Sequence, residues 1–173
     1  MHRPIVQGFT AIELMTVIAI ISILAALAAP NMGQFLASRR VEDMARRIGE
    51  DLAFGRNEAV KRNAPVLLCA STSGACVAAP ASADWATGWR VCFDLDADGA
   101  CDSGTSTDAN PMRIQAAAAN GLTLAGPLSR LRFNADGTLT ASDYTEFTAA
   151  SSRSSVRWVV RIAASGAITV RKV

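Results

Sequence analysis

Hydrophobic and polar positions follow three successive rules along the chain. After the polar start MHRPIVQ and Gly8, almost every side chain is apolar. From Phe9 to Ala29 the only polar ones are Thr10, Glu13, Thr16 and Ser22. As a helix rising ~1.5 Å per residue this segment is about 31 Å long, enough to span a hydrocarbon core. Beyond Pro30 the apolar residues Met32, Phe35, Leu36, Val41, Met44, Ala45, Ile48, Leu52 and Ala59 recur at helical spacing, and Arg39, Arg40, Glu42, Asp43, Arg46, Arg47, Glu50 and Asp51 mark a polar face. This predicts an amphipathic helix over 30–63, with its apolar stripe in a core and its charges in solvent. Pro30 is expected to bend the helix near Ala29, and Pro65 to keep Ala64 out of it. Glu42 and Arg46, and Asp43 and Arg47, stand four apart in the order that favours pairing.

After Pro65 the period shortens. Val66–Ala70, Cys76–Ala78, Trp89–Asp94, Arg113–Ile114, Leu122–Leu124, Leu131–Phe133, Gly137–Thr140, Val156–Ile162 and Ala167–Val170 read as strands. Asn134–Gly137 and Ala163–Gly166 are turn sequences ending in Gly. A long helix followed by a run of strands predicts an α+β fold, with the helix packed on an antiparallel sheet.

The 173 residues, less a leader and a membrane segment, leave enough chain for one modest domain. With one apolar segment of membrane length and none after it, a multi-span protein is excluded. The formal net charge of +2 implies no nucleic-acid partner by itself. Its distribution says more. Asp84, Asp94, Asp96, Asp98, Asp102 and Asp108 face only Arg90 in the middle of the chain, whereas Arg153, Arg157, Arg161, Arg171 and Lys172 follow Glu146 without an acid among them.

The four cysteines, Cys69, Cys76, Cys92 and Cys101, all lie beyond the apolar segment. An even number in an exported domain favours disulfides. Of the three pairings open to them, close spacing favours Cys69–Cys76 and Cys92–Cys101, each worth roughly 2–4 kcal/mol. Zinc is the rival reading. There is no CxxC pair, and the only histidine, His2, falls in the polar start.

Glu13 is the informative residue of the first segment. A carboxylate inside a membrane helix is costly and usually marks function; the alternative is an interfacial glutamate that stays near headgroups. Gly8-Phe9-Thr10-Ala11-Ile12-Glu13-Leu14-Met15, the apolar run behind it and Pro30 together resemble the type IV pilin family. Ala11 departs from the family's usual Leu. The resemblance implies that a prepilin peptidase cuts between Gly8 and Phe9 and methylates the Phe9 amine. It also implies that Glu13 pairs with the amine of a neighbouring subunit, and that Pro30 is the helix-kinking proline. Two opposite charges in low dielectric attract strongly, which agrees with that pairing.

Asn57–Arg62, Cys69, Trp85-Ala86-Thr87-Gly88-Trp89 and Asp94–Gly99 narrow the resemblance to the GspH/FimT branch, which holds FimT/FimU-type minor pilins and the minor pseudopilin H of type II secretion. Many branch members carry a Gly-Arg turn near the C-terminus; this chain has Gly166-Ala167. The branch implies a leader over 1–8, a transmembrane and filament-core helix over 9–29, its amphipathic continuation over 30–63 and a β-rich head over 64–173. It implies a single-pass protein of the inner membrane of a Gram-negative bacterium, its head in the periplasm until it enters a pilus or pseudopilus. The implied partners are other pilins or pseudopilins, the prepilin peptidase and the inner-membrane assembly platform.

Two motifs remain. Asp94, Asp96, Asp98 and Gly99 form D-x-D-x-D-G, which looks like the start of a calcium loop, but Thr105 stands at the twelfth position in place of Glu. Arg157 and Arg161 alternate with Trp158 and Val160 on one strand. With Arg153, Arg171 and Lys172 they are either a solvated face or a phosphate-binding patch for DNA, as in FimT-like DNA receptors. No catalytic set stands out: there is no histidine beyond the leader, no nucleophile elbow and no phosphate loop. The expectation is a minor type IV pilin without a cofactor, or, alternatively, a minor pseudopilin H or a pilus-associated DNA receptor.

Overall fold

The computed structural model describes residues 9–72, 74–77, 82–102, 111–140 and 145–173, and side chains throughout these except at 27–31. Residues 1–8, expected as a leader ending at Gly8, the Pro30 side chain, Ala78 and Thr105 lie outside what is described. Helix α1 runs Ala11–Arg62, with unbroken helical backbone through position 30. The chain divides into two compact units, Met1–Leu36 and Ala37–Val173.

Within the first unit the side chains of α1 from Ala11 to Ala26 are exposed. Among the described residues no helix is long and apolar enough to cross a membrane. Met32, Phe35 and Leu36, assigned to the core by their spacing, are also exposed.

In the second unit the helical stripe is buried as its period requires. Val41, Met44, Ala45, Ile48, Leu52 and Ala59 are all within the core, and each large aliphatic side chain among them is worth about 1.5–3 kcal/mol in removed apolar surface. Glu42 takes both Arg39 (3.1 Å) and Arg46 (2.8 Å), and Glu58 takes Lys61 and Arg62. Hydrogen bonds from Arg46 and Arg62, respectively, hold the two carboxyls below the usual glutamate range. Asp43 and Arg47 do not pair among the described residues; both border a groove of about 340 Å³ against Trp89 and the segment 115–119. The helix ends in a Schellman arrangement. Asn63 turns left-handed at φ 51°, its N–H bonds Val60 O, and Ala64 N–H bonds Ala59 O. Asn63 is thus the stop signal, ahead of Pro65.

Among the described residues ten strands follow: β1 Val66–Thr72, β2 Ala75–Cys76, β3 Ala83–Asp84, β4 Trp89–Phe93, β5 Arg113–Gln115, β6 Leu122–Gly126, β7 Arg130–Phe133, β8 Thr145–Ser151, β9 Ser154–Ile162 and β10 Ile168–Lys172. They form two antiparallel five-stranded sheets rather than one. The first has the order β2-β1-β4-β5, with β7 also on β1; the second runs β10-β9-β8-β6-β3. Gly137–Thr140, expected as a strand, makes only a bridge between Leu139 and Phe133. Strand β8, which the sequence reading did not pick out, is the centre of the second sheet. Its buried positions are Thr145, Phe147 and Ala149, an alternation with one strongly apolar member.

The helix lies close to the first sheet at Gly55, where a Cβ would sit 2.7 Å from Leu68 Cδ1. Trp85, in the short 3₁₀ turn Trp85–Thr87, is fully buried. Its ring meets Phe147 of β8 edge-on at 5.0 Å, and its Nε1 donates to Leu128 O at 2.9 Å. Strand β1 is buried on both faces. Val66, Leu68 and Ala70 point into the main core, whereas Leu67 and Cys69 join Cys92 in a small second cluster. Among the described residues, Cys76 and Cys101 are what pack against that second cluster.

Candidate functional site

The N-terminal segment presents an apolar surface carrying one carboxylate. Phe9 precedes the helix and is 88% exposed. Thr10 is the N-cap: Glu13 N–H donates to Thr10 Oγ1 at 3.3 Å, and Thr10 N–H to Glu13 Oε2 at 3.4 Å. The pair is a capping box, visible in the sequence as Thr10-x-x-Glu13 but missed there. Around it Ile12, Leu14, Met15, Val17, Ile18 and Ile20 are each roughly half exposed or more.

In the second unit both expected disulfides are present, Cys69–Cys76 and Cys92–Cys101. The first staples β2 to β1. The second closes the acidic loop after β4. Cys69 and Cys92 are fully buried and Cys76 and Cys101 half-buried. The strands bring the two bridges together, with Cys76 Sγ 3.8 Å from Cys101 Sγ.

The acidic loop does place carboxylate oxygens of Asp94, Asp96 and Asp98 within 4.8 Å of one another. Asp94 is buried, however, and pairs with Arg132 of β7: Arg132 Nε lies 3.3 Å from Asp94 Oδ2, and Arg132 Nη2 donates to Asp94 O at 3.0 Å. Asp96 and Asp98 accept from the N–H groups of Asp98 and Ala100, and Asp102 from Leu95. Arg130 donates to Val77 O and Asp98 O. The carboxylates thus shape the loop through backbone N–H groups, and Asp94 also holds Arg132.

The C-terminal bases do not form one patch. In the β9–β10 register Thr169 faces Arg161 and Arg171 faces Val159, so Arg157, Arg161 and Arg171 share the outer face of the second sheet. Lys172 pairs with Trp158 and so belongs to the opposite face. Arg153 lies in the β8–β9 turn. Arg161 is bound by Glu146 of β8 through Nε at 3.0 Å and Nη2 at 2.7 Å. Arg157 and Arg171 are exposed and have no acidic partner among the described residues.

One polar site was missed altogether. Asp51, assigned to the solvated face of the helix, is buried. It accepts from Trp89 Nε1 at 2.8 Å and from Arg113 Nη1 at 2.7 Å, with the Arg113 guanidinium 3.8 Å above the Phe54 ring. Nothing local distinguishes it from Glu50 beside it; only the positions of β4 and β5 do. Arg56 is similar, reaching Gly137 O and Ser165 O across two turns.

Residues 44–166 match the family model described as type II transport protein GspH. No curated protein matches the sequence. Two crystal structures of the type IV minor pilin FimU of Pseudomonas aeruginosa PAO1 share the fold. One, in space group P65, superposes with a TM-score of 0.56 at 22% identity over 75% of this chain and 91% of that one. The other, in P21, gives 0.57 at 22% identity over 79% and 92%. The long helix with its antiparallel head is thus the arrangement of a pilin.

Proposed function

The chain belongs to the GspH family of type II transport proteins, and from that premise we propose that it is a minor type IV pilin that helps initiate or cap a pilus at the inner membrane. The observation that carries this reading is the N-terminal helix. Its apolar side chains are exposed on every side from Ala11 to Ala26, and the single carboxylate of that stretch, Glu13, sits in the first turn. Such a helix needs lipid before assembly and neighbouring helices after it.

In this reading the prepilin peptidase cuts between Gly8 and Phe9 and methylates the new amine. Glu13 pairs with the amine of a neighbouring subunit as the helix leaves lipid, each charge satisfying the other. Pro30 bends the helix, the head stays in the periplasm, and the partners are other pilins and the assembly platform.

The test is a count of surface pili by electron microscopy in a deletion strain. Loss of pili, restored by complementation, is expected. Normal pili with impaired exoprotein release would instead identify a minor pseudopilin H, the reading favoured by the family's own description. Normal pili and normal release with a fall in transformation frequency would identify a DNA receptor, for which Arg157 and Arg171, on one face and without an acidic partner among the described residues, are the supporting observation.

A further inference from the structure

The contact between the two disulfides is chemically unusual. Each bridge joins one fully buried cysteine, Cys69 or Cys92, to one half-buried cysteine, Cys76 or Cys101. The sulfurs of the two half-buried cysteines are the ones that meet, at 3.8 Å. That distance is van der Waals contact, so a thiolate at either position would already lie against the disulfide sulfur it could attack.

We propose that Cys76 and Cys101 form a thiol–disulfide exchange site, through which a single disulfide moves between the β1–β2 staple and the acidic loop. The ligand class is an external dithiol, either a small reductant or the reactive pair of a dithiol oxidoreductase. It attacks at the half-buried cysteines, Cys76 and Cys101, rather than at the fully buried Cys69 and Cys92. Attack on Cys101 Sγ makes a mixed disulfide and releases the Cys92 thiolate. The second thiol of the reductant then attacks its own sulfur in that mixed bond, leaves oxidised, and frees Cys101 as a thiolate. The Cys101 thiolate attacks Cys76 Sγ; the Cys76–Cys101 bond forms, the Cys69–Cys76 bond breaks, and Cys69 takes a proton from solvent. This last step is redox-neutral, because one disulfide is exchanged for another. The mirror sequence begins at Cys76 and releases Cys92 in the last step. Protonation of the released thiol fits its surroundings, since Cys69 and Cys92 lie in an apolar cluster with Leu67, where a thiolate is disfavoured.

Three cysteine pairs are then linked in series: Cys69–Cys76, Cys76–Cys101 and Cys101–Cys92. A chain carrying only one disulfide can hold it at any of the three. The middle bond would join β2 directly to the acidic loop, which Arg130 already bridges from Val77 O to Asp98 O.

Tryptic cleavage makes the test direct. Cys69 and Cys76 both lie between Arg62 and Arg90, and Cys92 and Cys101 both lie between Arg90 and Arg113. Native bridges therefore stay within single peptides, and Cys76–Cys101 alone of the linked pairs joins two. The full-length chain in mild detergent is treated with one equivalent of dithiothreitol, quenched in acid, alkylated and digested without reduction. The joined peptide pair is expected from monomeric protein, with alkylated Cys69 and Cys92, and is expected to be absent from untreated protein. In Cys92→Ser the same pair is expected without reductant, with Cys69 alkylated. The proposal fails if partly reduced wild type, still folded by circular dichroism, yields only the two within-peptide bridges. It fails equally if Cys92→Ser keeps Cys69–Cys76 intact with Cys101 alkylated, or if the joined peptides come only from disulfide-linked dimers.

Discussion

Trp89 Nε1 donates to Asp51 Oδ2 at 2.8 Å in the interior of the head, and the second carboxylate oxygen takes Arg113. One helix acid thereby fixes both β4 and the neighbouring edge strand β5. Removing the acid strands an indole N–H that has lost its water. Asp51→Ala should cost about 1–3 kcal/mol, with the Arg113 share at the low end because that side chain is 45% exposed. Asp51→Asn should cost less, since it keeps one acceptor for two donors. Urea unfolding followed by tryptophan fluorescence checks both; an Ala variant as stable as the parent would show that the pair does not hold the helix to the sheet.

The two turns around Arg56 give a second prediction. Gly166 has φ 77°, and a Cβ there would stand 2.2 Å from Gly137 O. A left-handed residue other than Gly costs about 1–2 kcal/mol, and the carbonyl cannot move aside without releasing Arg56 Nε, which it accepts at 3.1 Å. Gly166→Ala should therefore lower stability by more than the backbone term alone. A loss no larger than about 1 kcal/mol in the same unfolding assay would mean that the turn shifts freely.

At the N-terminus capping and charge pairing are separable. Glu13→Ala removes both the capping-box oxygen and the charge; Glu13→Gln keeps an oxygen for Thr10 N–H and removes only the charge. If charge pairing with a neighbour drives assembly, both variants should accumulate in the cell and both should be missing from sheared filaments on an immunoblot. A Gln variant that enters filaments like wild type would leave capping as the role of Glu13.

The basic face gives a salt-dependent prediction. Arg157 and Arg171 contribute uncompensated charge to one sheet face, whereas Arg161 is neutralised by Glu146. If DNA is bound there, Arg157→Ala with Arg171→Ala should weaken it and reduce the slope of log affinity against log salt by about 2, and Arg161→Ala should change that slope little. Lys172→Ala, on the opposite face, should also be nearly silent. A double variant that keeps the parental slope would place the contacts elsewhere. No binding at low salt would remove the DNA reading.

Much of this molecule is written in local pattern. The apolar run behind Gly8-Phe9, Glu13 in the first turn, the 3.6-residue stripe from Val41 to Ala59, the helix end at Asn63 and the strands around Cys69 and Cys92 follow from periodicity and backbone preference, which neighbouring residues decide among themselves. Close cysteine spacing favoured the two bridges because short loops close at small entropic cost.

The tertiary structure decided what depends on distant partners. Strand β8 was obscure because its inward positions include Thr145 and Ala149, which become core only by packing between β6 and β9. Gly137–Thr140 stayed irregular because its strand-like pattern found a single bridge partner. Asp51 and Glu50 are neighbours of like charge, and only the arrival of Trp89 and Arg113 made one a buried anchor and left the other in solvent. The five C-terminal bases were one cluster in sequence; strand alternation set Lys172 apart from Arg171, and Glu146 took Arg161. The approach of Cys76 to Cys101 belongs to the same class. Each bridge is a local event, but their contact requires β1 and β4 to pair in one register, a long-range choice made by the buried faces of the whole sheet.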